Sequence, residues 1–173
     1  MQELIDLYNK ERRRTGKIIP RGAMIPKGSY RLVVHAAIFN SKGEMLIQKR
    51  SASKRLWSDK WDISVGGAVS AHEKSNQAMQ REIKEELGVD IDLTKDRPIF
   101  TFNFFDGFDD IYLIEKNLNL NELVLQASEV SEVKYATYEE IVEMMQQEKF
   151  IIYYDSFIKL LFDTYSKKNI YIE

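Results

Sequence analysis

The stretch GGAVSAHEKSNQAMQREIKEELGV, Gly66 to Val89, decides how the rest of the chain is read. It places Glu82, Glu85 and Glu86 within two helical turns of one another. Carboxylates three and four apart on a helix repel by a few tenths of a kcal/mol per pair. At about 100° per residue, Glu82 and Glu86 lie about 40° apart, and Glu85 lies about 60° from Glu82 on the other side. Met79, Ile83 and Leu87, spaced by four, form an apolar stripe on the neighbouring face. A helix of this kind can pack on a core and aim three acids along a cleft. A divalent cation converts their repulsion into joint coordination, and all-oxygen donors suit Mg²⁺ or Mn²⁺. The competing reading is a solvated helix face, with Lys84 as part of it.

The flanks tie this helix into a larger pattern. Ser75 or Asn76 is the expected N-cap, and Gly88 is the residue expected to end the helix after Leu87. Before it, Trp61 to Val65 reads as a short strand ending at Gly66-Gly67, preceded by a polar loop from Ser51 to Lys60. Tyr30 to Asn40 and Met45 to Lys49 read as a hairpin around Ser41-Lys42-Gly43-Glu44. Residues 3–8 and Lys17 to Pro20 read as two further strands around a charged turn, Asn9 to Gly16. Later strands are expected at Ile99 to Phe105, Asp110 to Glu115 and Val130 to Ala136, with Asp106 to Asp109 as a turn. Helices are expected at Tyr138 to Glu148 and Asp155 to Tyr165. Strands interspersed with a few helices predict an α+β fold with a mixed sheet.

Composition narrows the function classes. The 173 residues suffice for a real core, and 25 Lys and Arg against 27 Asp and Glu leave a net charge of -2. That balance gives no electrostatic case for nucleic acid or a membrane surface. The absence of cysteine excludes disulfides, thiolate metal sites and a Cys nucleophile together. With no signal-like or membrane-spanning apolar run, a cytoplasmic protein is the expectation.

The full spacing is more specific than the acids alone. Gly67, Glu73 and the run Arg81-Glu82-Ile83-Lys84-Glu85-Glu86-Leu87-Gly88-Val89 match every fixed position of the Nudix box, a coincidence expected by chance on the order of once in ten million chains this long. The chain thus resembles the Nudix hydrolase superfamily. That resemblance implies an α/β/α sandwich with a mixed sheet, and hydrolysis of a small-molecule diphosphate, usually a nucleoside diphosphate derivative. It implies Mg²⁺, or Mn²⁺, on Glu82, Glu85 and Glu86, with the carbonyl of Gly66 as a further ligand. Gly67, Glu73, Arg81 and Gly88 would support the box; apart from the resemblance, helix geometry alone lets Arg81 pair with Glu85 one turn on. The catalytic roles fall to Glu82, Glu85 and a later acid, for which Glu129 fits best and Glu115 and Glu132 are rivals.

The segment LVVHAAIFNSKGEMLIQKRSASKRLWSDKWDISVGGAV is similar to the branch that includes isopentenyl-diphosphate isomerase. That enzyme's cysteine and metal-binding histidine correspond to Gly66 and Ala68 in this chain, so the usual isomerase route is unavailable. The alternatives to a hydrolase are a Nudix-fold nucleotide sensor and, behind it, a cysteine-free diphosphate isomerase. The expected division is an N-terminal extension over residues 1–28, a Nudix domain over 29–163 and a tail over 164–173, with a homodimer contact open to the extension. Other residues keep two readings each. Arg12, Arg13 and Arg14 form a solvated turn or meet an anionic substrate group. His35 is a core histidine or a substrate contact, and His72 faces solvent. Trp61 is core, while Trp57, Phe102, Phe104, Phe105 and Phe108 pack or offer a stacking surface.

Overall fold

The computed structural model describes residues 2–167. Its elements are β1 (Leu4–Tyr8), β2 (Arg14–Pro20), β3 (Arg31–Phe39), β4 (Met45–Arg50), β5 (Trp61–Ile63), β6 (Val65–Ala68), α1 (Ser75–Leu87), β7 (Phe100–Phe104), β8 (Gly107–Glu115), β9 (Val130–Ala136), α2 (Tyr138–Gln146) and α3 (Asp155–Lys167). Strands β1 and β2 form a separate antiparallel pair. The others make a seven-stranded sheet ordered β5-β4-β3-β8-β7, with β6 joined to β3 and β9 to β4. The α+β class with its sheet and few helices is as expected. The portion of the expected tail beyond Lys167 lies outside the described residues.

The chain packs as two compact units. The first comprises Met1–Ala36, Gly66–Lys84 and Asp90–Tyr112. Leu7, Val34, Met79, Ile83 and Ile111 are buried in it. The apolar stripe of α1 is therefore core, and each such side chain stabilises the fold by roughly 2 kcal/mol. A polar network also lies inside this unit. The buried Asp110 carboxylate accepts hydrogen bonds from Arg12, Ser75 and, at 2.7 Å, Thr101, while Ser75 Oγ stands 2.9 Å from the Tyr112 hydroxyl. Burial pushes the Tyr112 phenol up; the Ser75 hydrogen bond works against this, and the Asp110 charge adds to it.

The same unit holds the N-terminal pair against the loop of the box. Ala71 N–H donates to the Leu4 carbonyl at 2.8 Å, and His72 N–H to Asp6 Oδ2 at 2.7 Å. Arg14 pairs with Asp6 at 3.1 Å and donates to the Glu73 carbonyl. Arg12 and Arg14 thus cross-link this turn to distant groups, while Arg13 and Arg14 stay exposed, as a solvated turn would have them. The turn is also shorter than expected, because β2 already begins at Arg14.

The second unit comprises Ala37–Val65, Glu85–Val89 and Leu113–Glu173. Phe39 stacks on Tyr165 at 4.4 Å and meets Phe162 edge-on at 5.0 Å. Leu46, Ile47, Ile63, Phe150 and Leu161 are buried in this unit. In α2, Thr137 and Glu140 form a capping box that stabilises the helix start by about 1 kcal/mol. Trp61 is buried, as expected of a core residue.

Among the boundaries that differ from expectation, three have a clear local reason. The strand at Trp61 divides at Ser64, whose hydroxyl donates to Leu46 O at 2.5 Å and accepts from Ile38 N at 2.8 Å. Gly66-Gly67 then lie within β6 rather than after a strand. Helix α1 starts at Ser75 itself, because the Ser75 hydroxyl is committed to Asp110 and Tyr112. The turn between β7 and β8 is only Phe105-Asp106, since Gly107 already pairs with Phe104. A side chain at Gly107 would strike the Phe104 ring at 2.5 Å and Arg31 O at 2.6 Å, so the tight turn requires glycine there.

Candidate active site

Arg81 organises the box. Its Nε donates to Glu73 Oε1 at 3.0 Å and its Nη2 to Glu73 Oε2 at 2.9 Å, a two-point grip on one carboxylate. Nη1 reaches Glu82 Oε1 at 2.8 Å, and Nη2 also meets the Ala68 carbonyl at 3.0 Å. Glu73 in turn accepts from Ser70 N–H at 3.0 Å. Partial burial works against the Arg81 charge, but the hydrogen bonds and charges of Glu73 and Glu82 outweigh it and push its pKa up. Arg81 is therefore a permanent cation holding the loop and the helix in one arrangement.

Glu82 is buried against Gly67. A methyl group at Gly67 would stand 2.1 Å from Glu82 Cδ and Oε1, so the glycine opens the space that the carboxylate fills. Gly66 plays the same part for His35. A Cβ there would fall 2.2 Å from His35 Cδ2 and 2.6 Å from Nε2. His35 Nδ1 lies 2.8 Å from Asp109 Oδ1, which fixes the ring over Gly66.

Further along the same helix, Glu86 is buried and Glu85 exposed. The Glu86 carbonyl accepts from Gln126 N–H at 3.1 Å. Gly88 adopts a left-handed φ of 73° with Val124 closely packed on it, as a helix-ending glycine should. Glu129 pairs with Lys54, and its carbonyl accepts from Ser51 N–H at 2.8 Å. Its rivals stand differently: Glu115 is exposed at the end of β8, and Glu132 lies opposite Lys49 in the β4–β9 ladder. Gly67, Glu73, Arg81 and Glu82 are thus brought into direct contact. Among the described residues, no three His, Cys, Asp or Glu side chains already converge as a metal cage. The donor set nevertheless fits a hard divalent ion: carboxylate oxygens, one of them seated in a cradle that a single methyl would fill.

A cavity of about 380 Å³ opens beside Gly66 and Gly67, wholly within the first unit. Ile5, Leu32, Val33 and Ala68 give it apolar surface, and Arg21, Arg31, His35 and Asp106 give it polar groups. Sequence reading missed the two arginines. The available signal was the two-residue period of β3, which sets Arg31, Val33 and His35 on one half-exposed side of an otherwise buried strand. His72 is exposed, as expected. Trp57, Phe102 and Phe105 are exposed, Phe108 is buried, and none of these aromatics lines the cavity.

The box geometry, the buried acids and the α+β sheet together define a Nudix fold. Residues 29–159 match the NUDIX domain family, and the chain belongs to it. It is 42% identical over 158 residues to an uncharacterized Nudix hydrolase of Listeria monocytogenes, an alignment covering 91% of this chain and 92% of that protein. The crystal structure of the DR0079 protein of Deinococcus radiodurans superposes with a TM-score of 0.73 at 26% identity, covering 94% of this chain and 99% of that one. An isopentenyl-diphosphate isomerase of Salmonella paratyphi B is 30% identical over 106 residues, covering 61% of this chain and 59% of that protein. The chain is a Nudix hydrolase, an enzyme of a family that acts on small molecules and generally uses divalent ions. Among the described residues no helix is long and apolar enough to cross a membrane.

Proposed function

We propose that this enzyme hydrolyses a phosphoanhydride linkage in a small diphosphate, most simply a nucleoside diphosphate derivative, with Mg²⁺ or Mn²⁺. Glu82, Glu85 and Glu86 hold the cation side of the site, joined by the Gly66 carbonyl. The observation that carries this reading is the buried Glu82 carboxylate, held between Arg81 at 2.8 Å and a glycine where a methyl would displace it. A purely solvated helix face would not bury this acid or build a cradle for it. When bound, the cation neutralises the diphosphate oxygens and eases deprotonation of the attacking water.

The chain's own groups do the rest. Arg81 and Glu73 fix the loop so that Glu82 cannot swing outward. Glu82, Glu85 and Glu129 are the carboxylates proposed to accept or relay the proton of the water; Glu129 is oriented by Lys54. The usual cysteine-dependent isomerase route is closed, because the chain has no cysteine and the His35 ring fills the space that a side chain at residue 66 would need. Gly67, Glu73, Arg81 and Gly88 keep their supporting roles, and the enzyme acts in the cytoplasm without a nucleic-acid partner.

The test is a hydrolysis screen with Mg²⁺ and with Mn²⁺ over nucleoside diphosphate derivatives and prenyl diphosphates, read by phosphate and monophosphate release. Turnover that disappears with chelator and in Glu82→Gln and Glu86→Gln supports the reading. Tight binding of a nucleotide without turnover, unaffected by Glu82→Gln, would replace it with a sensor.

A further inference from the structure

Charged side chains of the first strand pair reach out of it and grip the segment that leads into α1. Asp6 on β1 is buried, its side chain only 5% exposed, and it lies before residues 29–159 that match the family. Its Oδ2 accepts the His72 N–H at 2.7 Å and pairs with Arg14 Nε at 3.1 Å. Arg14 then donates through Nη2 to the Glu73 carbonyl. From the turn between the two strands, Arg12 reaches the buried Asp110, which also accepts from the hydroxyl of Ser75, the first residue of α1. All of these residues belong to the first unit. The loop of the box is therefore held by groups that the family match does not include.

Two observations show that this grip does more than close the strand pair. The pairing of β1 with β2 is made by backbone, in a register that sets Leu4 against Pro20 and Ile5 against Ile19, and needs no buried charge. Burying the Asp6 carboxylate costs desolvation, and the partners that offset it are an amide of the box loop and the arginine that holds the same loop. The second observation is the backbone of His72. Its φ of 68° is left-handed, a conformation that a residue with a Cβ keeps only where its surroundings impose it. The amides of Ala71 and His72, bound to Leu4 O and Asp6, impose it. One residue further on, Glu73 turns its carboxylate to Arg81 at 2.9 and 3.0 Å, and Arg81 reaches Glu82 at 2.8 Å. An unbroken series of polar contacts thus runs from Asp6 through Arg14, Glu73 and Arg81 to Glu82.

We propose that Asp6 and Arg14 are positioning residues for the Glu82 carboxylate. They touch neither cation nor substrate. They fix the backbone at His72 and Glu73, so that the Glu73–Arg81 pair sets Glu82 against Gly67 before a cation arrives. Without them His72 relaxes to a negative φ, the Glu73 backbone shifts, and Arg81 loses the fixed partner that aims it at Glu82. The inference rests on the reading above that Glu82 holds a divalent cation.

The test uses the full chain, no substrate, and Mn²⁺ as the probe. Its dissociation constant is measured by calorimetry, well below every Tm, on the wild type, Asp6→Ala, Asp6→Asn, Arg14→Ala and Thr15→Ala. Arg14 is exposed, so Arg14→Ala keeps the test open should Asp6→Ala fail to fold. Thr15 is the control: its hydroxyl donates to Leu7 O at 2.9 Å inside the same strand pair, so Thr15→Ala weakens the pair without touching the loop. Groups that orient metal ligands move affinity by about 10–100-fold, and groups one step further out fall at the low end. Asp6→Ala and Arg14→Ala are therefore expected to weaken Mn²⁺ binding by about five- to tenfold. Asp6→Asn keeps an oxygen for the His72 N–H and is expected to recover part of the loss. Thr15→Ala is expected to stay within about twofold of wild type, even where it melts lower. Binding unmoved in both Asp6→Ala and Arg14→Ala, or weakened as much by Thr15→Ala, overturns the proposal. A wild type that binds no Mn²⁺ overturns the cation reading and the proposal with it. Variant-sensitive binding in a protein that hydrolyses no diphosphate overturns the hydrolytic reading alone and leaves the positioning role standing.

Discussion

Replacing Gly67 by alanine tests the site with the smallest possible change. The added methyl would stand 2.1 Å from Glu82 Cδ and Oε1 and 2.6 Å from Oε2, whereas ordinary contact begins at 3.4 Å. The carboxylate must retreat by more than about 1 Å, and a misplacement of that size costs about 10²-fold in rate, or about 2.7 kcal/mol of activation free energy. The effect on folding is smaller. The atoms struck are the end of a side chain and not backbone, so the cost falls at the low end of overpacking, about 1 kcal/mol. For a chain of this size that lowers Tm by about 2–4 °C. The assay is kcat/KM on whichever substrate the screen identifies, beside a thermal melt of the same preparation. Adding Glu82→Asp shortens the obstructed side chain, so the double variant should melt higher than the sum of the single effects predicts. Hydrolysis by Gly67→Ala within about threefold of wild type would refute the cradle argument, because the carboxylate would then have no defined position to lose.

Three other outcomes follow from the same geometry. Arg81→Ala removes the two-point grip on Glu73 together with the contacts to Glu82 and Ala68, and should cost about 2–3 kcal/mol, read as a melt about 4–10 °C lower; Arg81→Lys should recover little of it, because a lysine has no fork. Mg²⁺ at about 100 times its dissociation constant should stabilise the fold by about 2.7 kcal/mol and raise Tm by about 5–10 °C. Chelator should reverse that shift, Glu82→Gln and Glu86→Gln should abolish it, and the exposed Glu85→Gln should reduce it while leaving the metal-free melt unchanged. Gly66→Cys should destabilise the protein by about 2 kcal/mol through collision with the His35 ring and should confer no isomerase activity; combining it with His35→Ala should restore the melt alone.

The helix and its acids were legible because spacing along a helix is fixed by its geometry. Met79, Ile83 and Leu87 had to share a face, and they are all buried. The strand at Val130–Ala136 was readable for the same reason, as its residues carry a local preference. What local pattern does not encode is which distant group a polar side chain finds. Ser64 splits a strand because two backbone groups, on Ile38 and Leu46, converge on its hydroxyl. Ser75 is spent on Asp110 and Tyr112 and not on a helix cap. Arg12 and Arg14 looked like solvent-facing charge, yet their partners lie 98 and 59 residues away in sequence. The cavity escaped notice for the same reason, since Arg21 and Arg31 are unremarkable until the chain brings them beside Gly66.

The fastening of the first strand pair to the box loop bears on where this protein can be trimmed. A recombinant start at residue 29, where the family match begins, would delete Leu4, Asp6 and Arg14 and strip the amides of Ala71 and His72 and the carbonyl of Glu73 of their partners. In deuterium-exchange terms, the backbone N–H groups of Ala71 and His72 would pass from slow to fast. The shortest piece that looks like a whole catalytic module would be the one whose active-site loop has come undone.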